Sequence, residues 1–281
     1  MLAENSYGKS GIRLVKVIRR EDGHRIRDLT VSVELEGDFE AAHVAGDNSA
    51  VLPTDTMKNA VYALARTHPV DSIESFALEL SAHFLPKDGP ASVARIAISE
   101  RPWESLAGGP GKISHAFLRP GAERRVTRIA RTRAGVSVES GIEDLTILKS
   151  AGSGFAGYAR DRYTTLKETE DRILATAMEA LWLYEPREIR WDLVASAVRS
   201  TLLETFAGHA SASVQHTLHA MGQAVLDRHA EVSRIRLTMP NKHHLLVDLS
   251  PFGLENPNEI FVATEEPYGR IVATLKRERS C

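Results

Sequence analysis

The sequence predicts an α+β protein of antiparallel sheet with paired helices on one face, laid down twice along the chain. Three observations carry this expectation. Runs with period-2 alternation come in adjacent pairs, each pair is followed by two segments of helical period, and the order strand, strand, helix, helix, strand, strand occurs in both halves.

The first half shows the pattern most clearly. From Leu29 to Leu35 the chain reads LTVSVEL, with Leu29, Val31, Val33 and Leu35 on one face and Thr30, Ser32 and Glu34 on the other, as in a half-buried strand. The preceding GIRLVKVIRR is also strand-like, and Arg19 to His24 form a polar turn, so the two make a hairpin. The period then changes. Met57, Val61 and Leu64 recur at helical spacing behind Pro53-Thr54-Asp55, and Ile73, Phe76, Leu80 and Phe84 behind Asp71-Ser72. VARIAIS, ISHAFL and RRVTRIAR return to strand.

The second half repeats the order from about Val136, with DLTILKS and TAMEALWLY as strands. One helix then places Val194, Val198, Leu202 and Phe206 on a face, and the next places Val214, Leu218, Met221 and Val225. IRLTM, LLVDL, EIFVA and IVATLK close the half in strands. Between its first two strands, RDRYTTLKETEDRIL takes up a helical pattern near Thr164 or Thr165. The boundary is placed near Gly135, giving modules 1–135 and 136–281. A helix pair covers one side of such a sheet. The other side must meet water or another subunit, and a sheet continued through several subunits closes into a barrel without free edges.

Composition narrows the function. The 35 Lys+Arg against 37 Asp+Glu leave a formal charge of -2, so there is no global positive field for a nucleic acid or an anionic membrane, and a small-molecule partner is favoured. The single cysteine, Cys281, excludes an intrachain disulfide and a thiolate metal site, which suits a reducing compartment. MLAENSYGKSG has neither a basic nor an apolar leader region, no run approaches the ~18 apolar residues of a membrane span, and RERSC lacks the peroxisomal Ser-Lys-Leu ending. The expected location is cytoplasmic.

Two nucleotide motifs fail on context. Gly152, Gly154 and Gly157 match G-x-G-x-x-G after a strand, but a dinucleotide site needs a helix opening at the glycines and a parallel βαβ unit. AGGPGKIS around Lys112 lacks the first glycine and the Ser/Thr of a phosphate loop and reads better as a turn. No metal is expected: His243 and His244 are adjacent and point to opposite faces of a strand, and no H-E-x-x-H or Cys pair exists.

The remaining unusual residues each have an ordinary reading. Thr54 suits a helix N-cap with Asp55 complementing the helix dipole, Phe155 a core aromatic, Arg172 a solvated helix charge, and Gln215 a helix-start amide. Asn241, Lys242 and His243 follow Pro240 between two strand-like runs and suit a turn, although a histidine there is also a reasonable proton carrier.

Taken together, these segments resemble the urate oxidase family along nearly the whole chain. The likeness covers YGKSGIRLVKV, LEGDFEAAHVAGDNSAVLPTDTMKNAVYALAR, GIEDLTILKS, GFAGYARDRYTTLKETEDRILAT, ASVQHTLHAMG and LTMPNKHHLLVDLSPFGLENPNEIFVA. It implies the tunnelling fold (T-fold), two modules per subunit and four subunits stacked into a barrel. It also implies roles. Lys9, Thr54 and His243 match the family's proton relay; Phe155 matches the aromatic on which the purine stacks, Arg172 and Gln215 the pair gripping its edge, and Asn241 the amide over its face. Asp55 and the backbone of Val214 match further substrate contacts. Lys9, Thr54 and Asp55 would come from one subunit and Phe155, Arg172, Gln215 and Asn241 from its neighbour, so the site of this homotetramer would lie at an interface. Pro53 departs from the family pattern, where a smaller residue is frequent, and bears on the entry to the helix behind it.

The implied reaction, urate with oxygen and water giving 5-hydroxyisourate and hydrogen peroxide, suits these side chains. Deprotonated urate is electron-rich enough to reduce oxygen itself, so no cofactor is expected. A guanidinium fork and an amide can read one ring edge, and an aromatic can fix the plane. Free Lys at pKa ~10.4 needs desolvation or a nearby cation to act as a base, whereas His at ~6.5 passes protons near neutrality. The alternatives are a pterin- or GTP-processing enzyme of the same fold, whose zinc version the lone cysteine disfavours, and a purine-binding protein without catalysis.

Overall fold

The computed structural model describes residues 2–109 and 113–278; Lys112 and Cys281 lie outside the described residues. The chain divides into two compact units, one reaching to Gly141 and including Glu188–Asp192, the other made of Ile142–Arg187 and the residues from Leu193 onward.

In the first unit, β1 (Ser6–Arg20) and β2 (Gly23–Gly37) form the expected hairpin. After a short α1 (Glu40–Val44) come α2 (Thr54–Thr67), α3 (Ile73–Phe84) and β3 (Ala91–Arg101). A small pair, β4 (Glu104–Ser105) and β5 (Phe117–Leu118), precedes β6 (Arg124–Thr132) and the start of β7 (Gly135–Lys149). The strand order is β1-β2-β3-β6, with antiparallel registers that set Val31 against Ile98 and Ile96 against Ile129. α2 packs on β1, and α3 on β3 and β6. Leu29, Val31, Val33, Ile96 and Ile98 are fully buried together with Met57, Val61, Phe76 and Leu80 of the helices. On the other face Thr30 and Ser32 stay partly open, and Asp28 accepts hydrogen bonds from Arg13 Nη2 at 2.5 Å and Trp103 Nε1 at 3.2 Å. One dry face and one polar face produce the period-2 pattern read in LTVSVEL.

The second unit holds the rest of β7, β8 (Leu174–Tyr184), most of α4 (Trp191–Gly208), α5 (Val214–Arg228), β9 (Val232–Lys242) and β12 (Gly269–Lys276), in strand order β7-β8-β9-β12. β10 (His244–Leu246) and β11 (Phe261–Ala263) pair separately. α5 packs on β9 and β12. Trp182, Met178, Val198, Met221, Leu237 and Met239 fill the core with no exposed surface.

Three expectations need correction. LLVDL is strand only at Leu245 and Leu246, in the separate pair with β11. The run ISHAFL gives only Phe117–Leu118 as strand, because Ile113 and Leu118 are exposed and no apolar face holds it to the sheet. The segment after Arg160 is irregular rather than helical up to β8. Asp161 Oδ1 accepts from Tyr163 N and Thr164 Oγ1, both at 2.9 Å, and Thr164 Oγ1 accepts from Asp161 N at 2.8 Å. These local bonds compete with a helix, and exposed Tyr163 and Leu166 offer no face to bury in compensation. The unanticipated α1 has no buried residue, hence no apolar periodicity to read.

The halves also share chemistry at their helix ends, where the last carbonyls lack partners and carry partial negative charge. Lys16 of β1 donates to the carbonyls of Ala65 (2.8 Å) and His68 at the end of α2. Lys149 of β7 donates to the His209 carbonyl just beyond α4. Arg131 of β6 reaches Ser81 Oγ in the last turn of α3 (2.9 Å), and Arg277, just past β12, reaches the carbonyls of Leu226 (2.5 Å) and His229 (2.9 Å) at the end of α5. At α2, α4 and α5 a cation thus meets carbonyls at the helix end, whereas at α3 Arg131 meets a side-chain hydroxyl.

Candidate active site

The N-terminal group is built on YGKSG and the entry to α2. A Cβ at Gly8 would meet Val33 O at 1.9 Å, so only glycine allows β1 to lie this close to β2 beside Lys9. The register shifts between Lys9 and Ile12, and Gly11 takes φ +71°, closed to most L-residues, so a bulge re-aims the strand at the lysine. The Tyr7 hydroxyl accepts the Leu52 amide at 2.9 Å, tying the strand two residues before Lys9 to the chain two residues before Thr54. Its ring packs edge-on against Phe39 at 4.7 Å, and burial raises the phenol's pKa, partly offset by that amide.

Thr54 is not the N-cap. Pro53 holds that position, with no side-chain cap bond, and Thr54 is the first residue of the helix. Proline with φ -55° suits a helix entry, and it leaves the Thr54 hydroxyl outside the capping scheme. Asp55 is exposed and held below the usual carboxylate range first by its hydrogen bond from Lys58, then by that lysine's charge, with smaller contributions from Asn59 and the field of Lys9. Lys9, Thr54 and Asp55 are thus gathered by one strand and one helix start.

The C-terminal group is stitched together by backbone. Phe155 and Thr169 exchange both amide bonds, at 2.7 and 3.2 Å, placing the phenylalanine beside the segment that leads to Arg172. Gly154 N donates to Ser211 O at 2.7 Å and Ser211 N to Gly152 O at 2.9 Å, which brings in the segment that opens α5. Asp171 Oδ1 accepts from Gly152 N at 2.7 Å. At α5, Ser213 is the cap, accepting from His216 N, with buried Val214 first in the helix and exposed Gln215 second.

Arg172 lies on irregular chain ahead of β8, not on a helix, and is half-buried. Its guanidinium sits 5.1 Å over the Phe155 ring. Burial alone pulls its pKa below the ordinary value, and among the described residues its buried Nε finds no hydrogen-bond partner. A desolvated cation with a spare donor above an aromatic face is arranged to receive a flat, electron-rich acceptor. Asn241 and Lys242 are strand rather than turn: Asn241 lies in β9 between Thr176 of β8 and Gly269 of β12, 8% exposed. His243 follows at the end of the strand, partly exposed, its carbonyl accepting from Thr264 N at 2.9 Å. Among the described residues no cluster of three or more His, Cys, Asp or Glu could hold a metal, and no helix is long and apolar enough to cross a membrane.

The G-x-G-x-x-G segment leads into this loop and an antiparallel sheet, not a helix or a βαβ unit, so it is no dinucleotide site. Sequence reasoning missed Tyr7 and Tyr158, whose ring stacks on Phe155. A tyrosine two residues from a candidate base, and another three from a candidate platform, were the only signals.

Two antiparallel four-strand runs, each with a helix pair between its second and third strands, define the tunnelling-fold class. Within that class the match is specific. The family model described as Uricase matches residues 5–130 and 138–272. A uricase of Arthrobacter globiformis is 46% identical over 280 residues, covering 100% of this chain and 91% of the relative. A uricase of Danio rerio is 36% identical over 278 residues, 97% of this chain and 93% of the relative. The crystal structure of the Arthrobacter globiformis uricase superposes with a TM-score of 0.94, covering 100% of this chain and 96% of that one. The chain belongs to the uricase family.

Proposed function

We propose that this chain is a urate oxidase, catalysing urate + O2 + H2O → 5-hydroxyisourate + H2O2, with substrate held by its C-terminal half and protons moved chiefly by its N-terminal half. Besides family membership, the observation that carries the assignment of the ring-holding residues is the half-buried Arg172 guanidinium poised over Phe155 with an unpartnered donor.

Phe155 is the stacking platform. Arg172 and Gln215 grip one edge of the purine, the Val214 amide and Asp55 add contacts, and Asn241 lies over the ring face with Thr54, the two holding oxygen and later water. Lys9 draws the proton through the Thr54 hydroxyl, and His243 passes it on to peroxide or solvent. The dianion so formed supplies the electrons to oxygen, so the reaction needs no cofactor. The functional unit is a homotetramer whose sites lie at subunit interfaces, each taking Lys9, Thr54 and Asp55 from one chain and the ring-holding residues from a neighbour. Each chain contributes two modules meeting near Gly135, and the enzyme works in the cytoplasm.

The test is direct. Purified protein, exhaustively treated with chelator, should consume urate's ultraviolet absorbance and release one peroxide per urate in air. No turnover, or turnover restored only by added metal or flavin, would overturn the reading.

A further inference from the structure

Phe155 stands in a loop, its backbone bridged to Thr169 and, through Ser153, to Ser211, neither of them in a named strand, so its ring plane depends on neighbouring side chains. The Tyr158 ring stacks on it with centroids 4.9 Å apart and planes inclined by 15°. Tyr158 is itself anchored from two directions. Its hydroxyl donates to the Leu166 carbonyl at 2.6 Å, across the loop. The Arg160 guanidinium lies 5.2 Å over its ring and is held by Glu168 at 3.1 Å. Tyr158 is thus in contact with both Phe155 and Arg160, and Phe155 also meets Arg172.

We propose that Tyr158 is a positioning residue for the substrate, acting through Phe155 to fix the plane on which the purine stacks. The proposal rests on the reading of Phe155 as the platform. A phenylalanine ring on irregular backbone has two free side-chain torsions, and a platform that tilts loses the offset-parallel contact with a flat ligand. Tyr158 supplies the second ring that removes this freedom, and its tether to Leu166 keeps that ring from turning with the first. Arg160 adds a cation over the Tyr158 ring, with Glu168 as its counter-charge. Because Tyr158 acts on ligand orientation and not on proton transfer, its effect falls on binding.

The experiment compares urate kinetics and melting temperature for Tyr158→Ala, Tyr158→Phe, Phe155→Ala and the double variant Tyr158→Ala/Phe155→Ala. Tyr158→Ala should raise KM about 2- to 10-fold, the factor corresponding to one aromatic stacking contact, with kcat within about twofold of the parent. Tyr158→Phe keeps the ring and should restore most of the loss. In the Phe155→Ala background Tyr158→Ala should add nothing, since its route to the ligand is gone. Phe155→Ala raising KM while Tyr158→Ala leaves it unchanged, or full additivity in the double variant, overturns this proposal and leaves the platform intact. An unchanged KM in Phe155→Ala instead overturns the platform reading itself.

Discussion

The two halves share an element order and a rule for quieting helix ends, yet they bury different things. Among the described residues the second unit buries hydroxyls and an amide but no charged side chain, with Trp182, Met178, Leu237 and Met239 at 0% exposure. The first unit hides an ion network. Arg27 binds Glu100 through both carboxylate oxygens at 2.8 and 3.1 Å and Asp192 at 2.9 Å. Arg125 binds Asp192 at 2.5 Å and fully buried Glu74 at 2.8 Å, and Ser140 adds a hydrogen bond to Glu74 at 2.7 Å. Burial works against the Arg125 charge, but Glu74 and Asp192 outweigh it and hold the guanidinium above its ordinary range. The duplicated part of the molecule is therefore its scaffold. What has diverged is the interior and the candidate site, where one half presents a lysine, a hydroxyl and a carboxylate and the other a ring, a guanidinium and amides.

The largest effects should separate the halves by kinetic parameter. Thr54→Ala is expected to lower kcat by about 10²- to 10⁴-fold, the usual worth of a positioned proton-transfer group, with urate binding and melting temperature nearly unchanged. Arg172→Ala should weaken urate binding about tenfold or more through loss of a charge-assisted contact. Equal loss of kcat and binding in both variants would erase the distinction.

Next in size is the buried network. Arg125→Ala leaves Glu74 buried without its cation and should cost about 3–5 kcal/mol in urea denaturation. Met178→Ala in the second unit should cost about 2–5 kcal/mol by cavity formation alone. The two differ in their pH dependence: the Arg125 loss should shrink in acid as Asp192, held low by Arg125, protonates, and the Met178 loss should not.

pH itself should distinguish the halves. Burial, then His216 and Lys149, hold His209 below the ordinary histidine value, and burial foremost holds His229 there too. The unfolded chain therefore binds more protons at these sites below pH ~6.5, so their contribution is complete above that value and declines as pH falls toward the folded pKa. Asp192 is the acid counterpart. Burial alone would raise its carboxyl, but Arg125 and Arg27 hold it below the usual range, so its stabilisation is present above pH ~3.9 and is lost as pH falls through the folded pKa. Hydrogen exchange should show the ends of α4 and α5 loosening first on acidification, with α3 and β6 protected until pH ~4. The reverse order would contradict the assignment. The smallest effects should be alike in the two halves: Lys16→Met and Lys149→Met should each cost about 0.3–1 kcal/mol, as cations removed from helix ends do.

The strand–helix order was legible because one buried face writes its period into Leu29, Val31 and Val33 and into Val214, Leu218 and Met221. The loop from Ser150 to Ile173 was not legible, because Asp161 and Thr164 satisfy their backbone locally and cannot be told by spacing from a helix. For the site, residue types suggested chemistry only through family resemblance. By spacing alone Thr54 suits a cap, but Pro53 occupies that position, and Arg172 suits a solvated helix charge, but it is half-buried over Phe155. Such roles depend on contacts between segments far apart in sequence, such as Phe155 with Thr169 and Gly154 with Ser211, which no local pattern encodes.

Proton-moving and ring-holding residues are proposed to meet from different chains. Co-expressing Thr54→Ala, impaired in turnover, with Arg172→Ala, impaired in urate binding, and assaying the mixed oligomers for peroxide release at urate well below the KM of Arg172→Ala tests this most directly. Recovery of activity, from sites pairing an intact Thr54 with an intact Arg172, is the predicted result. Mixed oligomers no more active than either parent would contradict it.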